Sequence, residues 1–215
     1  MKGYPVFLVH LDRARCVIVG GGPVATRKAG GLLQVDANVV VVSPILCKEL
    51  ADLASRGSID VMRRDYQLGD LQGAALVIAA TDAPEVNQQV WEEAKARGIP
   101  VNVVDDPEHC TFIAPSVVRR GPLTLAISTG GHCPALSRHL RKCLEHEFGP
   151  AYSGYVELLG QLREQAVAKL SLAERRVFWE QIFRSDVLAL LTSGKEQEAR
   201  RQAWAILEQH FSGRA

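Results

Sequence analysis

Short apolar runs alternate with longer stretches of mixed apolar and polar residues between Arg15 and about Val104. The runs are rich in Val and Ile, and the stretches between them carry apolar residues at helical spacing. This alternation predicts strands joined by crossover helices around a parallel sheet. The predicted strands are residues 16–19, 38–42, 59–62, 75–80 and 101–104, and the predicted helices are residues 24–34, 45–56 and 84–97. The first half of the chain is therefore expected to be an α/β domain.

The third predicted helix carries signals at both of its ends. Thr81 or Asp82 is expected to cap its start, and Pro84 suits the first helical turn because no amide proton is needed there. Gly98 is expected to end the helix, since glycine readily adopts the left-handed conformation that closes many helices. The bounds of this helix are thus predicted from both sides.

The pattern changes after the fifth predicted strand. Two apolar runs, residues 112–118 and 123–128, flank the segment Arg119-Arg120-Gly121-Pro122. Apolar runs separated by a glycine-proline turn predict a β-hairpin rather than another crossover. A helix is then predicted at residues 134–147.

The last third of the chain is predicted to contain helices only. Gly149-Pro150 stops the preceding helix, and Ser171 with Glu174 forms a capping-box pattern ahead of an apolar stripe, which predicts a helix start. We therefore expect three parts: an α/β domain at residues 1–111, a hairpin and helix segment at residues 112–149, and a small helical domain at residues 150–215.

A glycine-rich turn joins the first predicted strand to the first predicted helix. Gly20, Gly22 and Ala25 form the spacing GxGxxA of dinucleotide-binding folds. Gly20 permits a tight turn, Gly22 lets a pyrophosphate approach the backbone, and the helix start offers free N–H groups to it. The alternative is a glycine turn that binds nothing. Its placement favours a Rossmann-like, dinucleotide-binding domain.

The end of the second predicted strand departs from the usual dinucleotide-binding pattern. The Asp or Glu that would bond the adenosine ribose is absent, and the chain has Ser43-Pro44 instead. Ser43 is expected to bond a ribose hydroxyl, and no adjacent Arg is present to bind a 2′-phosphate, so NAD is predicted over NADP. At the end of the fourth strand, Thr81 and Asp82 are expected to line the cofactor site, to cap the next helix, or both.

The composition is that of an ordinary folded domain and narrows the range of partners. The 215 residues are 47% hydrophobic and 23% charged, and 25 basic residues against 24 acidic ones give a net charge of +1. This balance disfavours nonspecific binding to nucleic acid or membrane surfaces. No apolar run approaches the roughly 20 residues of a bilayer crossing, and no secretory signal is present, so a cytoplasmic protein is predicted. The five scattered cysteines predict neither a disulfide framework nor a metal site.

Several motifs in combination resemble one known family. They are Tyr4-Pro5-Val6-Phe7, Val19-Gly-Gly-Gly-Pro-Val-Ala-Thr-Arg-Lys28, Ala79-Ala-Thr-Asp82 with Asn87, Val101-Asn-Val-Val-Asp105, Phe112-Ile-Ala-Pro-Ser116, and Ile127-Ser-Thr-Gly-Gly131 with Pro134 and Arg138. Over almost its whole length the chain resembles the precorrin-2 dehydrogenase and sirohydrochlorin ferrochelatase family, the N-terminal module of siroheme synthase.

The resemblance implies an enzyme that uses NAD to oxidise precorrin-2 to sirohydrochlorin and, in some members, inserts ferrous iron. It also implies an intertwined homodimer, in which residues 1–111 form the NAD-binding Rossmann domain, residues 112–149 the dimerisation segment and residues 150–215 the helical C-terminal domain. The family's functional aspartate falls on Asp105, and its cofactor contacts fall around Pro23-Val24 and Ser43-Pro44. The hydroxyl residue that lines the tetrapyrrole site falls on Thr129. Substrate binding is accordingly expected at Ser128, Thr129, Gly130 and Arg138, the last because arginine suits the carboxylates of a tetrapyrrole.

Some alternatives stay open on sequence grounds. A carboxylate at Asp105, beside a nicotinamide at the end of a predicted central strand, is a workable general base, but Asp-Asp-Pro is also a turn signal. Asp106, His109 and His132-Cys133 depart from the family pattern, which leaves chelatase activity more open than dehydrogenase activity. For the whole chain, the alternatives are a nucleotide-sensing regulator and a chelatase without redox function.

Overall fold

The computed structural model describes residues 3–211, and the contacts divide the chain into two compact units, residues 1–114 and 115–215. The first unit contains β1 (Arg15–Val19), α1 (Pro23–Leu33), β2 (Asn38–Val42), α2 (Lys48–Ser55), β3 (Asp60–Met62), β4 (Leu76–Ala79), α3 (Pro84–Arg97), β5 (Val101–Val103) and a short 3-10 helix (Pro107–His109). The second unit contains β6 (Ser116–Arg120), β7 (Leu123–Ile127), α4 (Pro134–Glu147), α5 (Ala151–Lys169), α6 (Leu172–Arg184), α7 (Val187–Thr192) and α8 (Glu196–Gln209).

The five strands of the first unit form one parallel sheet in the order β3-β2-β1-β4-β5. The chain runs outward from β1 through β2 to β3, and then crosses back so that β4 pairs with the other side of β1. The direction of strand addition therefore reverses between β1 and β4. In open α/β sheets, ligands bind at the carboxyl ends of the strands at such a reversal. The predicted Rossmann-like sheet is confirmed.

Residues 16–19 of strand β1 are all apolar because helices cover both faces of the sheet. Cys16 and Ile18 pack in the core cluster that contains residues of α1 and α2, whereas Val17 and Val19 pack in the cluster that contains residues of α3. All four side chains are at most 2% exposed. Strands buried on both faces read as continuous apolar runs in the sequence. This is why the runs were sufficient to locate the strands.

Helix α3 confirms its predicted end and corrects its predicted start. Gly98 ends the helix in the left-handed conformation, with φ +67°, and Pro84 occupies the first turn. The expected cap by Thr81 or Asp82 is wrong, because the N-cap residue is Ala83 and no side chain caps the helix. The Thr81 hydroxyl instead lies 2.9 Å from Oδ1 of Asn87, to which it donates a hydrogen bond.

Two further predictions about the first unit are wrong. Helix α2 begins at Lys48 rather than at residue 45, because the Ser43 hydroxyl donates to the Ile45 carbonyl at 2.7 Å and the intervening residues form a bend. Strand β5, which precedes Asp105, was expected to be central and is instead an edge strand of the described sheet. It follows β4 outward, and the chain then leaves the sheet.

The predicted hairpin is present at the start of the second unit. Strands β6 and β7 pair antiparallel, and Gly121 turns the chain between them with φ +55°. The first strand begins at Ser116 rather than at residue 112. Phe112 belongs to the first unit, where its carbonyl accepts a hydrogen bond from the side chain of Asn102 at 3.1 Å.

Helices α5 to α8 pack around a core of their own in the second unit. Its most deeply buried large side chains are Leu158, Leu162, Phe178, Ile182 and Leu207. The predicted capping box is present: the Ser171 amide donates to the Glu174 carboxylate at 2.7 Å, and the Glu174 amide donates to the Ser171 hydroxyl at 3.4 Å. Within residues 3–211, no helix combines the length and the apolar character needed to cross a membrane.

Candidate functional site

A cavity of about 320 Å³ lies at the carboxyl edge of the parallel sheet, where the ends of β1, β2 and β4 meet. Its lining includes every residue predicted to hold the cofactor. These residues are Gly20, Gly22, Pro23, Val24, Ser43, Pro44, Thr81 and Asp82. Residues from three separate strand ends are thus brought to one site by the reversal of strand order.

The three glycines of the turn have different surroundings. Gly20 has φ +126°, and a Cβ built on it would lie 2.2 Å from the Ala80 carbonyl oxygen. A Cβ on Gly21 would lie 1.9 Å from the Ile45 carbonyl oxygen. A Cβ on Gly22 would meet no protein atom within 4 Å. The first two glycines are therefore required by the fold, whereas the space beside Gly22 is open to a ligand.

The start of α1 completes this phosphate-binding arrangement. Gly22 is the N-cap residue, with φ −90°, and no side chain caps the helix or places an acidic group in its first turn. The first backbone N–H groups of a helix have no partner within the helix, and the helix dipole favours an anion beside them. Open space, free N–H groups and the absence of an opposing carboxylate in this turn fit the pyrophosphate of a dinucleotide.

Ser43 lies in the same cavity and is 7% exposed. Its hydroxyl donates to the Ile45 carbonyl, so only its acceptor capacity is left for a ribose hydroxyl. Two further lining residues, Asp65 and Tyr66, come from the loop after β3 and were missed by the sequence analysis. The available signal was the parallel pairing of β3 beside β2, which brings their carboxyl ends to one edge.

A second cavity, of about 230 Å³, shares Thr81 and Asp82 with the first. Asp106 and His109 also line it, and Nδ1 of His109 lies 2.6 Å from the Asp106 carboxylate. This hydrogen bond holds the pKa of Asp106 below its usual value. The Trp91 ring contacts the imidazole edge to face, with the ring centroids 4.5 Å apart. An oriented imidazole and a carboxylate therefore lie next to the cavity at the glycine turn.

Asp105 does not line either of these cavities. Asp105 is exposed and has φ +61°, and its backbone forms a turn, as the sequence Asp-Asp-Pro also allowed. Asp105 interacts electrostatically with Lys28, whose Nζ donates to Oδ1 of Asn102 at 3.2 Å. Burial, followed by repulsion from Arg27, lowers the pKa of Lys28, while Cys110 and Asp105 act in the opposite direction. Lys28 was part of a motif in the sequence, but no role was predicted for it.

Three of the predicted substrate residues, Ser128, Thr129 and Gly130, lie in the second unit, in the turn between β7 and α4. The Thr129 hydroxyl accepts hydrogen bonds from the Cys133 amide at 3.1 Å and from the Ser137 hydroxyl at 3.3 Å. The Ser128 hydroxyl accepts from the Gly130 amide at 3.1 Å. Gly130 has φ +61°, so the turn needs its glycine. These hydroxyls hold the turn in shape.

Arg138 is exposed on α4, where its guanidinium is available to an anion. The neighbouring Arg120, by contrast, donates to the carbonyls of Phe148 and Glu145 at 2.7 and 2.9 Å. Across the described part of the chain, no group of three or more His, Cys, Asp or Glu side chains is placed to hold a metal ion.

Three family models match consecutive parts of the chain. The model described as "Putative NAD(P)-binding" matches residues 7–116, which is half of the chain. The model "Sirohaem biosynthesis protein central" matches residues 120–147, and "Sirohaem synthase dimerisation region" matches residues 151–209. The first unit is therefore an NAD(P)-binding domain by family.

Curated relatives agree with these family models. A siroheme synthase of Thioalkalivibrio sulfidiphilus is 44% identical over 209 residues, which are 97% of this chain and 42% of the relative. A siroheme synthase of Pseudomonas aeruginosa is 42% identical over 208 residues, which are 96% of this chain and 44% of the relative. The chain thus spans less than half the length of the curated relatives that it matches.

A solved structure extends the likeness to the fold of the whole chain. SirC, a precorrin-2 dehydrogenase, superposes with a TM-score of 0.73 at 26% sequence identity. The match covers 94% of this chain and 100% of SirC.

Proposed function

The chain belongs to the siroheme synthase family, and we propose that it oxidises precorrin-2 to sirohydrochlorin with NAD as the hydride acceptor. The observation that carries the proposal is the likeness to SirC, a precorrin-2 dehydrogenase, over the whole of that chain. The cavity at the glycine turn supports it, since the space beside Gly22 and the start of α1 suit a dinucleotide. NAD, rather than NADP, is favoured because no cationic side chain is among the residues lining this cavity.

The proposed reaction requires the chain to hold a dinucleotide, to accept a proton and to bind a polycarboxylated macrocycle. The glycine turn and the start of α1 bind the pyrophosphate, and Ser43-Pro44 with Thr81 and Asp82 enclose the rest of the cofactor. When bound there, NAD would supply the hydride acceptor of the reaction. The Asp105 carboxylate accepts the accompanying proton. In the second unit, Arg138 would bind a macrocycle carboxylate, and Ser128, Thr129 and Gly130 are further proposed substrate-binding residues.

The three family models support a division of labour along the chain. Residues 1–111 hold the cofactor, as the match of an NAD(P)-binding model to residues 7–116 supports. Residues 150–215 form a helical part that contributes to a homodimer, since the dimerisation model matches residues 151–209, and residues 112–149 are proposed as a further dimerisation segment. The proposed oxidation takes place in the cytoplasm.

Anaerobic incubation of the protein with precorrin-2 and NAD tests the proposal. NADH and sirohydrochlorin should form together, each followed by its own absorbance. A nucleotide-sensing regulator would bind NAD without forming NADH. A chelatase without redox function would insert ferrous or cobaltous ion into supplied sirohydrochlorin but would form no NADH from precorrin-2 and NAD. Either of those results would overturn the proposed oxidation.

Replacing Asp105 tests the proposed proton acceptor. General-base assistance contributes about a hundredfold to ten-thousandfold in rate, so Asp105→Asn should reduce kcat by at least about a hundredfold. NAD affinity should stay close to wild type, because Asp105 does not line the cofactor cavity. Glu108→Gln is the matched control, since Glu108 is an exposed carboxylate of the adjacent 3-10 helix and lines neither cavity. A near-wild-type kcat in Asp105→Asn would show that the proton leaves by another route.

A further inference from the structure

We propose that Asp65 takes the place of the ribose-binding carboxylate that the end of β2 lacks, and that it selects NAD against NADP. This inference rests on the proposed function only in that NAD is the cofactor. In Rossmann folds a carboxylate at the adenosine half of the site hydrogen-bonds the ribose 2′-hydroxyl, whereas a cation nearby accommodates a 2′-phosphate. The chain supplies the carboxylate from the neighbouring strand.

The pairing of β2 and β3 brings Asp65 to the right edge of the sheet. The two strands are parallel, with Val42 in register with Met62. The amide of Ser43 donates to the Met62 carbonyl at 3.1 Å, so the chain just after β3 starts beside the chain just after β2. Asp65 lines the same cavity as Ser43 and Pro44.

The charges around this cavity disfavour a 2′-phosphate. Asp65 and Asp82 are the charged residues among those that line it, and both are acidic. Asp82 follows β4, on the side of β1 opposite to β2, which leaves Asp65 as the carboxylate of the β2 side. Arg63 is exposed and is not among the lining residues, and the Arg64 guanidinium is held by the Asp70 carboxylate at 2.6 and 2.7 Å.

The loop that carries Asp65 is held in place by two carboxylates. Asp70 accepts the Gln67 amide at 2.9 Å in addition to the Arg64 guanidinium. The hydrogen bond from Arg64 is the main reason that the pKa of Asp70 is lowered, so this carboxylate is ionised at neutral pH. Asp70 therefore ties the two sides of Asp65 together.

Glu93 of α3 holds the other end of the same loop. Its carboxylate is 2% exposed and accepts hydrogen bonds from the Tyr66 hydroxyl, the Gly69 amide at 2.9 Å and Nε of Arg97 at 2.7 Å. Burial acts to raise the pKa of Glu93, but these hydrogen bonds outweigh it and the pKa is lowered. Burial and the bond to Glu93 raise the pKa of Tyr66, so Tyr66 donates and Glu93 accepts. Because these hydrogen bonds already fix the loop, little conformational entropy is lost in ordering Asp65 when a dinucleotide binds.

Calorimetric titration of the full chain with NAD and with NADP, in the absence of tetrapyrrole, tests this role. The wild type should bind NAD at least about tenfold more tightly than NADP. Asp65→Asn should bind NAD about tenfold more weakly and NADP more tightly, because the hydrogen bond to the ribose weakens and the repulsion of a 2′-phosphate disappears. Asp65→Arg should reverse the preference.

Asp60→Asn is the matched control, since Asp60 is an exposed carboxylate of β3 that does not line the cavity. It should keep the wild-type ratio of the two dissociation constants. Thermal denaturation of each variant shows whether it folds, and Asp65 is exposed, so both substitutions at this position should melt as the wild type does. An unchanged NAD to NADP ratio in both Asp65 variants, or a wild type that prefers NADP, would overturn the inference. Because these titrations contain no tetrapyrrole, they stand or fall separately from the proposed oxidation.

Discussion

Substitutions at the three consecutive glycines of the cofactor turn should separate folding from cofactor binding. Gly21→Ala places a Cβ 1.9 Å from the Ile45 carbonyl oxygen, a backbone atom that cannot rotate away. Such overpacking costs about 1–3 kcal/mol of unfolding free energy or more. Gly20→Ala has two costs. It places a Cβ 2.2 Å from the Ala80 carbonyl oxygen, and it puts a non-glycine residue at φ +126°. Backbone strain of this kind costs a further 1–3 kcal/mol of unfolding free energy, roughly.

Gly22 should behave in the opposite way. Its φ of −90° suits any residue, and its Cβ position is free of protein atoms within 4 Å. Gly22→Ala should therefore leave the unfolding free energy within about 1 kcal/mol of the wild type. Gly22→Asp should also fold, because Asp is a favoured N-cap residue, but its charge should exclude the pyrophosphate.

Thermal denaturation with and without NAD measures both effects. Free NAD at a hundred times its Kd stabilises a binding protein by about 2.7 kcal/mol. The wild type should show this increase, and Gly22→Asp should lose it while its melting without NAD stays close to wild type. Gly20→Ala and Gly21→Ala should melt at lower temperature even without NAD. The reasoning would be refuted if Gly22→Asp gained wild-type stability from NAD, or if Gly22→Ala were as destabilised as Gly21→Ala.

Two further predictions concern stability and assembly. The hydrogen bond from Arg64 lowers the pKa of Asp70, so the ionised Asp70 carboxylate stabilises the folded state. This stabilisation is complete above the usual pKa of Asp, about 3.9, and is lost as the pH falls through the lowered pKa of the folded state. Denaturant titrations below pH 4, roughly the range in which Asp protonates, should therefore show a weaker pH dependence in Asp70→Asn, and an unchanged slope would contradict this. Light scattering should give twice the 23.5 kDa of the chain, since residues 151–209 match a dimerisation region, and a monomer mass would contradict it.

Much of the fold was predictable because its signals are local. The apolar runs located β1, β2 and β4, the three inner strands of the sheet, since strands covered on both faces are nearly continuous apolar runs. Gly98 and Ser171 marked a helix end and a helix start, because a left-handed residue and a capping hydroxyl act on backbone groups only a few positions away. The glycine-rich turn was also predictable from the sequence. Gly20 adopts φ +126°, a conformation that favours glycine, and its place between a strand and a helix indicated such a turn.

Two features that the sequence predicted wrongly depend on a choice among competing local hydrogen bonds, and a third depends on the order of the strands. Thr81 does not cap α3 because its hydroxyl bonds Asn87, and α2 starts late because Ser43 bonds the Ile45 carbonyl. Both residue types suit several local hydrogen bonds, and only the surrounding structure selects one. Strand β5 lies at an edge because of the order in which strands were added, which no single strand sequence encodes.

By itself, the sequence determined the α/β class, the glycine-rich turn between β1 and α1 and the helical C-terminal part, because hydrophobic periodicity and turn-forming residues are properties of neighbouring positions. Only the tertiary structure decided which distant side chains share the site. Parallel pairing carried Asp65 and Tyr66 to the cofactor cavity, and the turn after β5 left Asp105 outside it while Asp106 and His109 line the adjoining cavity. The direction of a side chain and the neighbours of a strand end follow from register and packing, and these are set by the whole sheet rather than by any one segment.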